Sequence, residues 1–262
     1  MQNDGAFIGV AGAVDCQHTA GGTAQLEPIA NGGNRDAFAL ILYSLDKIIK
    51  GLGGVAGHRA KDPINTGVIQ CTGNAANVVD NAVALCDYYM SELAEVSALL
   101  AMNTAEQPVV YITGTSSYLT TAPGQMYQSS LITSAAGTAA GADIEGNSWV
   151  EISYEQLLTM NPDVIVVPTN SMANAPAEYP VEDLLNDPQL SEVTAIKNGA
   201  VYQMTTGFEA WDSPAPSGVL GVKWMVQTLH PELYSTEDFA ADVQEFYQTF
   251  YGFTPDTAAI TG

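Results

Sequence analysis

The sequence predicts an α/β protein of two lobes with mainly parallel sheets, joined by one long inter-lobe helix. Three observations lead there: an unbroken helical pattern near the middle of the chain, alternating strand and helix signals after it, and 47% hydrophobic residues over 262 positions. A chain of this size buries a substantial core in one large or two small domains. The division expected is an N-terminal lobe over 1–75, the inter-lobe helix over 76–103 and a C-terminal α/β lobe over 104–262.

The helix is the clearest element. Val79, Val83, Leu85, Cys86, Tyr89, Met90, Leu93, Val96 and Leu100 recur every three or four residues, with no Gly or Pro between about 76 and 102. At 1.5 Å per residue it reaches roughly 40 Å, the length of a strut between lobes. Beyond Pro108 the pattern changes. PVVYITG (108–114), DVIVVPT (163–169) and AVYQMT (200–205) read as strands, with helices between them. Ser153 with Gln156 is a capping-box start for YEQLLTM. VEDLL (181–185) and LSEVTAI (190–196) read as short helices, and Asn198-Gly199 punctuates before the third strand. Helices over about 215–229 and 236–250 close the chain. Strands alternating with helices argue for a mainly parallel sheet.

Residues 1–35 are rich in Gly and Ala and carry little periodicity. A helix is expected over roughly 35–50, where Phe38, Ile41, Leu42, Leu45, Ile48 and Ile49 fall at helical spacing, and a short strand at 68–70. The apolar run AFIGVAGAV (6–14) is short, lacks a basic flank and is followed by Asp15 before Cys16, so no signal peptide is read there. No stretch is long enough to span a bilayer. Three cysteines, Cys16, Cys71 and Cys86, give an odd count without CxxC spacing and no disulfide framework.

Charge excludes some functions. There are 29 acidic and 7 basic residues, for a net charge of −22. Nucleic-acid binding needs clustered Lys and Arg to neutralise phosphates, and docking on an anionic membrane surface has the same requirement. Catalytic motifs are absent: there is no GxSxG, HExxH, Walker loop or GxGxxG. Cys16 and His18 stand two apart without further partners, so no enzyme is expected.

Ligands of open α/β sheets bind beyond the carboxyl ends of the strands. That rule selects the loops 114–128, 168–178 and 205–214, which mix small polar residues with aromatics. Tyr118, Tyr127, Met172 and Trp211 are the ligand-contact candidates on them, and Trp149 is a fifth. The plainer alternative is that each of these side chains packs a lobe.

SWVEISYEQLLTMNPDVIVV (148–167) resembles the signature region of the helical-backbone (class III) substrate-binding proteins that serve iron-siderophore, haem and cobalamin importers. AIKNGAVYQMTTGFEAWDSPAPSGVLGVKWMVQTLHPELY (195–234) and DFAADVQEFYQTFYGF (238–253) resemble that family's next two blocks. The resemblance covers about 76–253. It implies an extracytoplasmic, monomeric capture protein with a ligand cleft between the lobes and an ABC-transporter permease as partner. The ligand implied is an iron or cobalt complex: an iron chelate, haem or corrinoid. No intrinsic cofactor or protein-held metal is implied. Glu209, in GFEAWDSP, matches the family's second-lobe docking glutamate. The first lobe departs from the pattern, with NRDAFALILYSLDKII (34–49) only a loose echo of its docking segment and Asp36 the nearest acid. An abbreviated first lobe leaves a second reading, a sensor or interaction module on the same scaffold. Arg35 and Arg59 are the only arginines, and 105–262 carries only Lys197 and Lys223 as bases. A highly charged chelate therefore fits less well than a weakly charged one.

Overall fold

A computed structural model describes residues 14–18, 24–28, 75–168, 177–204 and 209–261. The expected helix at 35–50, the strand at 68–70 and Met172 lie outside them. In the N-terminal portion, β1 (Val14–His18) pairs antiparallel with β2 (Ala24–Pro28), a hairpin the weak periodicity of 1–35 did not announce.

Helix α1 runs unbroken over Ala75–Leu100, 26 residues, or about 39 Å. Its buried residues Leu85, Cys86, Tyr89, Leu93 and Val96 repeat at three- and four-residue spacing, which puts them on one face. Cys86 is disulfide-bonded, which corrects the expectation drawn from the cysteine count: an odd number still permits one bridge.

After α1 come β3 (Val109–Ile112), β4 (Thr120–Thr121), α2 (Tyr127–Ser134), β5 (Thr138–Ala139) and β6 (Val150–Glu151). Then follow α3 (Tyr154–Met160), β7 (Val164–Val167), α4 (Val181–Leu185), α5 (Thr194–Asn198) and β8 (Val201–Gln203). Helices α6 (Gly218–Leu229), α7 (Thr236–Tyr251) and α8 (Ala258–Thr261) complete the chain. The central sheet has the order β5-β3-β7-β8, and all three pairings are parallel. The expected α/β class with a parallel sheet is what folds.

Period-two alternation divides the core across that sheet. Val110, Ile112 and Val166 face a cluster built with α1, α2, α6 and α7. Tyr111, Ile165 and Val167 face the opposite cluster, which includes Leu157, Leu184, Leu190 and Val193. Both faces are covered, which is why the strands read as continuous apolar runs.

Local chemistry sets the ends of the helices. Ser153 Oγ accepts from the Gln156 N–H and the Gln156 side chain accepts from the Ser153 N–H, completing the capping box. Ser235 caps α7 through the Asp238 N–H. Gly199 ends α5 at φ 66°, a left-handed turn that glycine takes without strain. His230, at the end of α6, is buried rather than superficial. Its Nε2 lies 2.9 Å from the Ala135 carbonyl and its Nδ1 3.3 Å from Asn103 Nδ2. A carbonyl can only accept, so Nε2 carries the proton and Nδ1 receives the amide.

Candidate functional site

The carboxyl ends of β3, β7 and β8 open on one edge of the sheet, and the segment leaving β3 begins the site. Thr113 and Gly114 follow β3 and are buried. The chain then turns through Ser117, whose Oγ accepts from the Leu119 N–H, and returns as β4. Tyr118 sits on this turn. The buried Tyr111 hydroxyl, shared between the carbonyls of Tyr118 (2.9 Å) and Thr120 (3.1 Å), holds its backbone. Its ring packs edge-on against Tyr179, with centroids 5.5 Å apart. Tyr179 is itself anchored, its hydroxyl 2.5 Å from Thr113 Oγ1 and 3.0 Å from the Gly114 carbonyl.

The Tyr118 hydroxyl donates to Asp187 Oδ2 at 2.8 Å, and Tyr154 donates to the same oxygen at 2.8 Å. The two phenol oxygens are 3.4 Å apart. The other carboxylate oxygen of Asp187 accepts from the Gln189 N–H at 2.9 Å. Burial works against the charge on Asp187, but the Gln189 N–H and the two phenols outweigh it and hold the carboxyl below its usual range. The bond with Tyr154, then burial, then the bond with Asp187 push the Tyr118 phenol up. Sequence inspection did not connect these residues. Tyr118 is 69 positions from Asp187, and Asp187-Pro188 reads locally as the turn after a short helix.

The other candidates are dispersed. Trp149, next to β6, is exposed at 36%. Tyr127 is buried at the start of α2, with its hydroxyl 3.5 Å from the Gly218 carbonyl. Trp211 is 1% exposed and packs edge-on against Phe239, with centroids 5.5 Å apart, so its ring belongs to the core. The structure thus separates a surface pair, Tyr118 and Trp149, from a packed pair, Tyr127 and Trp211.

Glu209 is half-buried, and its carboxylate is held at both ends. Ser217 Oγ donates to Oε2 at 2.5 Å and the Tyr251 hydroxyl to Oε1 at 2.7 Å. Such a carboxylate is oriented rather than free on a solvated loop. Its loop is tied to α1 as well, because the Tyr89 hydroxyl donates to the Ala215 carbonyl (2.9 Å) and accepts the Val219 N–H (3.1 Å).

Asp212, 3% exposed, lies on the same loop, and burial raises its carboxyl to about 7. Gln128 Nε2 donates to the Asp212 main-chain carbonyl at 2.9 Å. The side-chain acceptors Asp212 Oδ1 and Gln128 Oε1 are both buried without a hydrogen-bond donor among the described residues. Neither lysine of the lobe serves the site. Lys197 pairs with Glu192 on the surface, and Lys223 is buried against Glu92 and Asp242.

The model of the family described as periplasmic binding protein matches residues 68–206. The molybdate-binding protein MolA of Haemophilus influenzae is 33% identical over 125 residues, covering 46% of this chain and 33% of that protein. The chain thus matches about a third of that relative's length. Among solved structures, a periplasmic solute binding protein from Veillonella parvula is similar at a TM-score of 0.60 and 26% identity, over 71% of this chain and 56% of that one. Molybdate-bound MolA is similar at a TM-score of 0.60 and 20% identity, over 81% of this chain and 58% of its own. CeuE of Helicobacter pylori, in a Ni-His complex, is similar at 0.60 and 15% identity, over 84% and 61%. At the last two identities the likeness is one of fold.

Proposed function

The chain belongs to the periplasmic binding protein family, and on that premise we propose that it is the capture component of an ABC importer, working outside the cytoplasm. It binds a small solute at the carboxyl edge of the sheet, carries out no reaction on it and hands it to a membrane permease. The observation that carries this reading is the match over residues 68–206, which takes in α1 and all four strands of the parallel sheet. Glu209 is the permease-docking carboxylate of this lobe. Ser217 and Tyr251 aim it, and its contribution is orientation and on-rate rather than affinity.

The solute in this reading is a weakly charged iron or cobalt complex, such as a ferric hydroxamate, haem or a corrinoid. Supporting this, both lysines of the lobe are engaged in ion pairs away from the site, and a strongly anionic chelate needs cationic partners. Tyr118 is partly exposed and Trp149 exposed, so both offer aromatic surface to a solute, while Tyr127 and Trp211 are packed in the core. A second reading, an oxyanion of the molybdate type held by hydroxyls and main-chain N–H groups, is favoured by the 33% identity to MolA.

Thermal-shift and calorimetric titration of the full chain with ferric hydroxamate, haemin, cyanocobalamin, molybdate and sulfate tests both readings. A solute that binds only the folded state at 100 times its Kd stabilises by about 2.7 kcal/mol. Stabilisation by a metal complex supports the first reading and by molybdate alone the second. No shift with any of them at saturation removes capture. Glu209→Gln is expected to leave Kd within about twofold while lowering permease-dependent uptake, as a docking charge outside the solute site should.

A further inference from the structure

We propose that Tyr118, Tyr154 and Asp187 form a three-oxygen face that binds a hard trivalent cation, ferric iron being the natural member of that class, directly through two phenolates and a carboxylate.

The first support is geometric. Asp187 Oδ2 lies 2.8 Å from each phenol oxygen, and those oxygens are 3.4 Å apart. In an octahedral shell with metal–oxygen distances of about 2.0–2.1 Å, neighbouring oxygens stand about 2.9 Å apart. The three atoms already occupy nearly one triangular face of such a shell. Only small rotations of the two rings are needed to bring all three onto one ion.

The second support is charge and donor type. Two phenolates and one carboxylate carry three negative charges, which neutralise a trivalent ion and over-compensate a divalent one. All three donors are hard oxygens, unsuited to soft metals. Among the described residues Asp187 has no cationic partner, since Lys197 pairs with Glu192 and Lys223 with Glu92, Glu95 and Asp242. The whole chain carries −22, so its field draws cations inward.

The third is access and bracing. Tyr118, Tyr154 and Asp187 are each partly exposed, so an ion reaches them from solvent and the remaining coordination positions stay open to water or a chelator. Behind them the structure is fixed. Tyr111 holds the Tyr118 main chain, Tyr179 packs on its ring, and the Gln189 N–H orients Asp187. Supporting contacts of this kind set metal affinity alongside the ligands. On binding, each phenol releases its proton to solvent and its oxygen takes a coordination position. Iron keeps its oxidation state, and two protons leave per ion.

This site shares Tyr118 with the solute-contact surface of the proposed function, and the test keeps ion binding apart from solute capture by supplying the ion alone. The full chain is titrated with iron(III) nitrilotriacetate near neutral pH in the absence of siderophore, haem or corrinoid. The expected result is a visible phenolate-to-iron charge-transfer band that saturates at one ion per chain. Gallium(III), which is redox-silent, should give the matching ultraviolet tyrosinate difference spectrum. Tyr118→Phe and Tyr154→Phe should each weaken binding at least about tenfold, and the double variant should abolish the band. Circular dichroism confirms that each variant is folded, and Tyr202→Phe, on the exposed edge strand, is the control expected to leave the band unchanged. No band with the native chain, or a band undiminished in the folded double variant, overturns the assignment whatever the solute screen finds.

Discussion

Replacing Lys223 with Met should be among the most damaging single changes in the C-terminal lobe. The lysine is fully buried, yet ion-paired to Glu92 on α1 and Asp242 on α7, with Glu95 a third acid at 3.5 Å. Its ammonium also sits 5.4 Å from the centroid of the Tyr234 ring, and the Tyr234 hydroxyl bonds to Asp242. Burial alone would lower Lys223, but the hydrogen bonds it donates to Asp242 and Glu92 outweigh it and raise it. Glu92 is raised as well, by burial first, against the pull of the lysine. A raised lysine favours the charged pair and a raised glutamate opposes it, so the pair is best treated as one unit whose value lies in being complete. Removing one member of a buried pair costs about 3–5 kcal/mol. Side-chain exposures of 13% for Glu92 and 22% for Asp242 let water reach both carboxylates, so about 3 kcal/mol is the figure to use. At about 2–4 °C per kcal/mol for a domain of this size, Tm should fall by roughly 6–12 °C. Thermal denaturation followed by circular dichroism measures it. The loss should shrink as pH falls from 7 to 5. Without the lysine, Glu92 keeps the burial that raises it and loses the partner that lowered it, so the folded state binds the extra proton and gains stability on acidification. A triple change of Lys223, Glu92 and Asp242 to apolar residues should recover most of the loss. A fall in Tm of less than 3 °C for Lys223→Met, or a loss that grows on acidification, would refute the account.

Two further changes test packing and burial. Asp212→Asn should stabilise the protein at pH 8 and matter little near pH 4. The carboxyl is raised by burial to about 7, so the charge burdens the native state as pH rises from the unfolded value to the folded one. The burden is up to about 4 kcal/mol, and Tm of the two proteins across that range gives the answer. Gly221→Ala should cost about 1–3 kcal/mol. A β-carbon there would stand 2.2 Å from the Trp211 carbonyl oxygen, and backbone cannot move aside as a side-chain tip can; chemical denaturation would record it.

The legible parts of this fold were those written in long apolar patterns or in caps. Helix α1 and strands β3, β7 and β8 could be read because burial on one or both faces leaves a periodic trace. The start of α3 was visible as Ser153 and Gln156, and the end of α5 as Asn198-Gly199. Helix α2, YQSSLITS, was not. Its Ser and Thr residues are poor helix formers in isolation, and the structure shows Ser130 and Thr133 returning their hydroxyls to carbonyls one turn back. Strands of two residues, such as β4, β5 and β6, leave no pattern to find. At the site, aromatic residue types marked the right loops but not which rings stay at the surface. Trp211 and Tyr118 look alike in sequence, yet one packs into the core against Phe239 and the other reaches Asp187. The carboxylate that gathers Tyr118 and Tyr154 was invisible because it arrives from a distant turn.

The doubly engaged hydroxyl of Tyr89 has a mechanical consequence. With one bond to the Ala215 carbonyl and another from the Val219 amide, it rivets the long rod to the stretch that precedes α6. Neither can turn without dragging the other. A shift of the rod at Tyr89 is thereby passed to the stretch over 209–217, which carries the acidic side chain at 209.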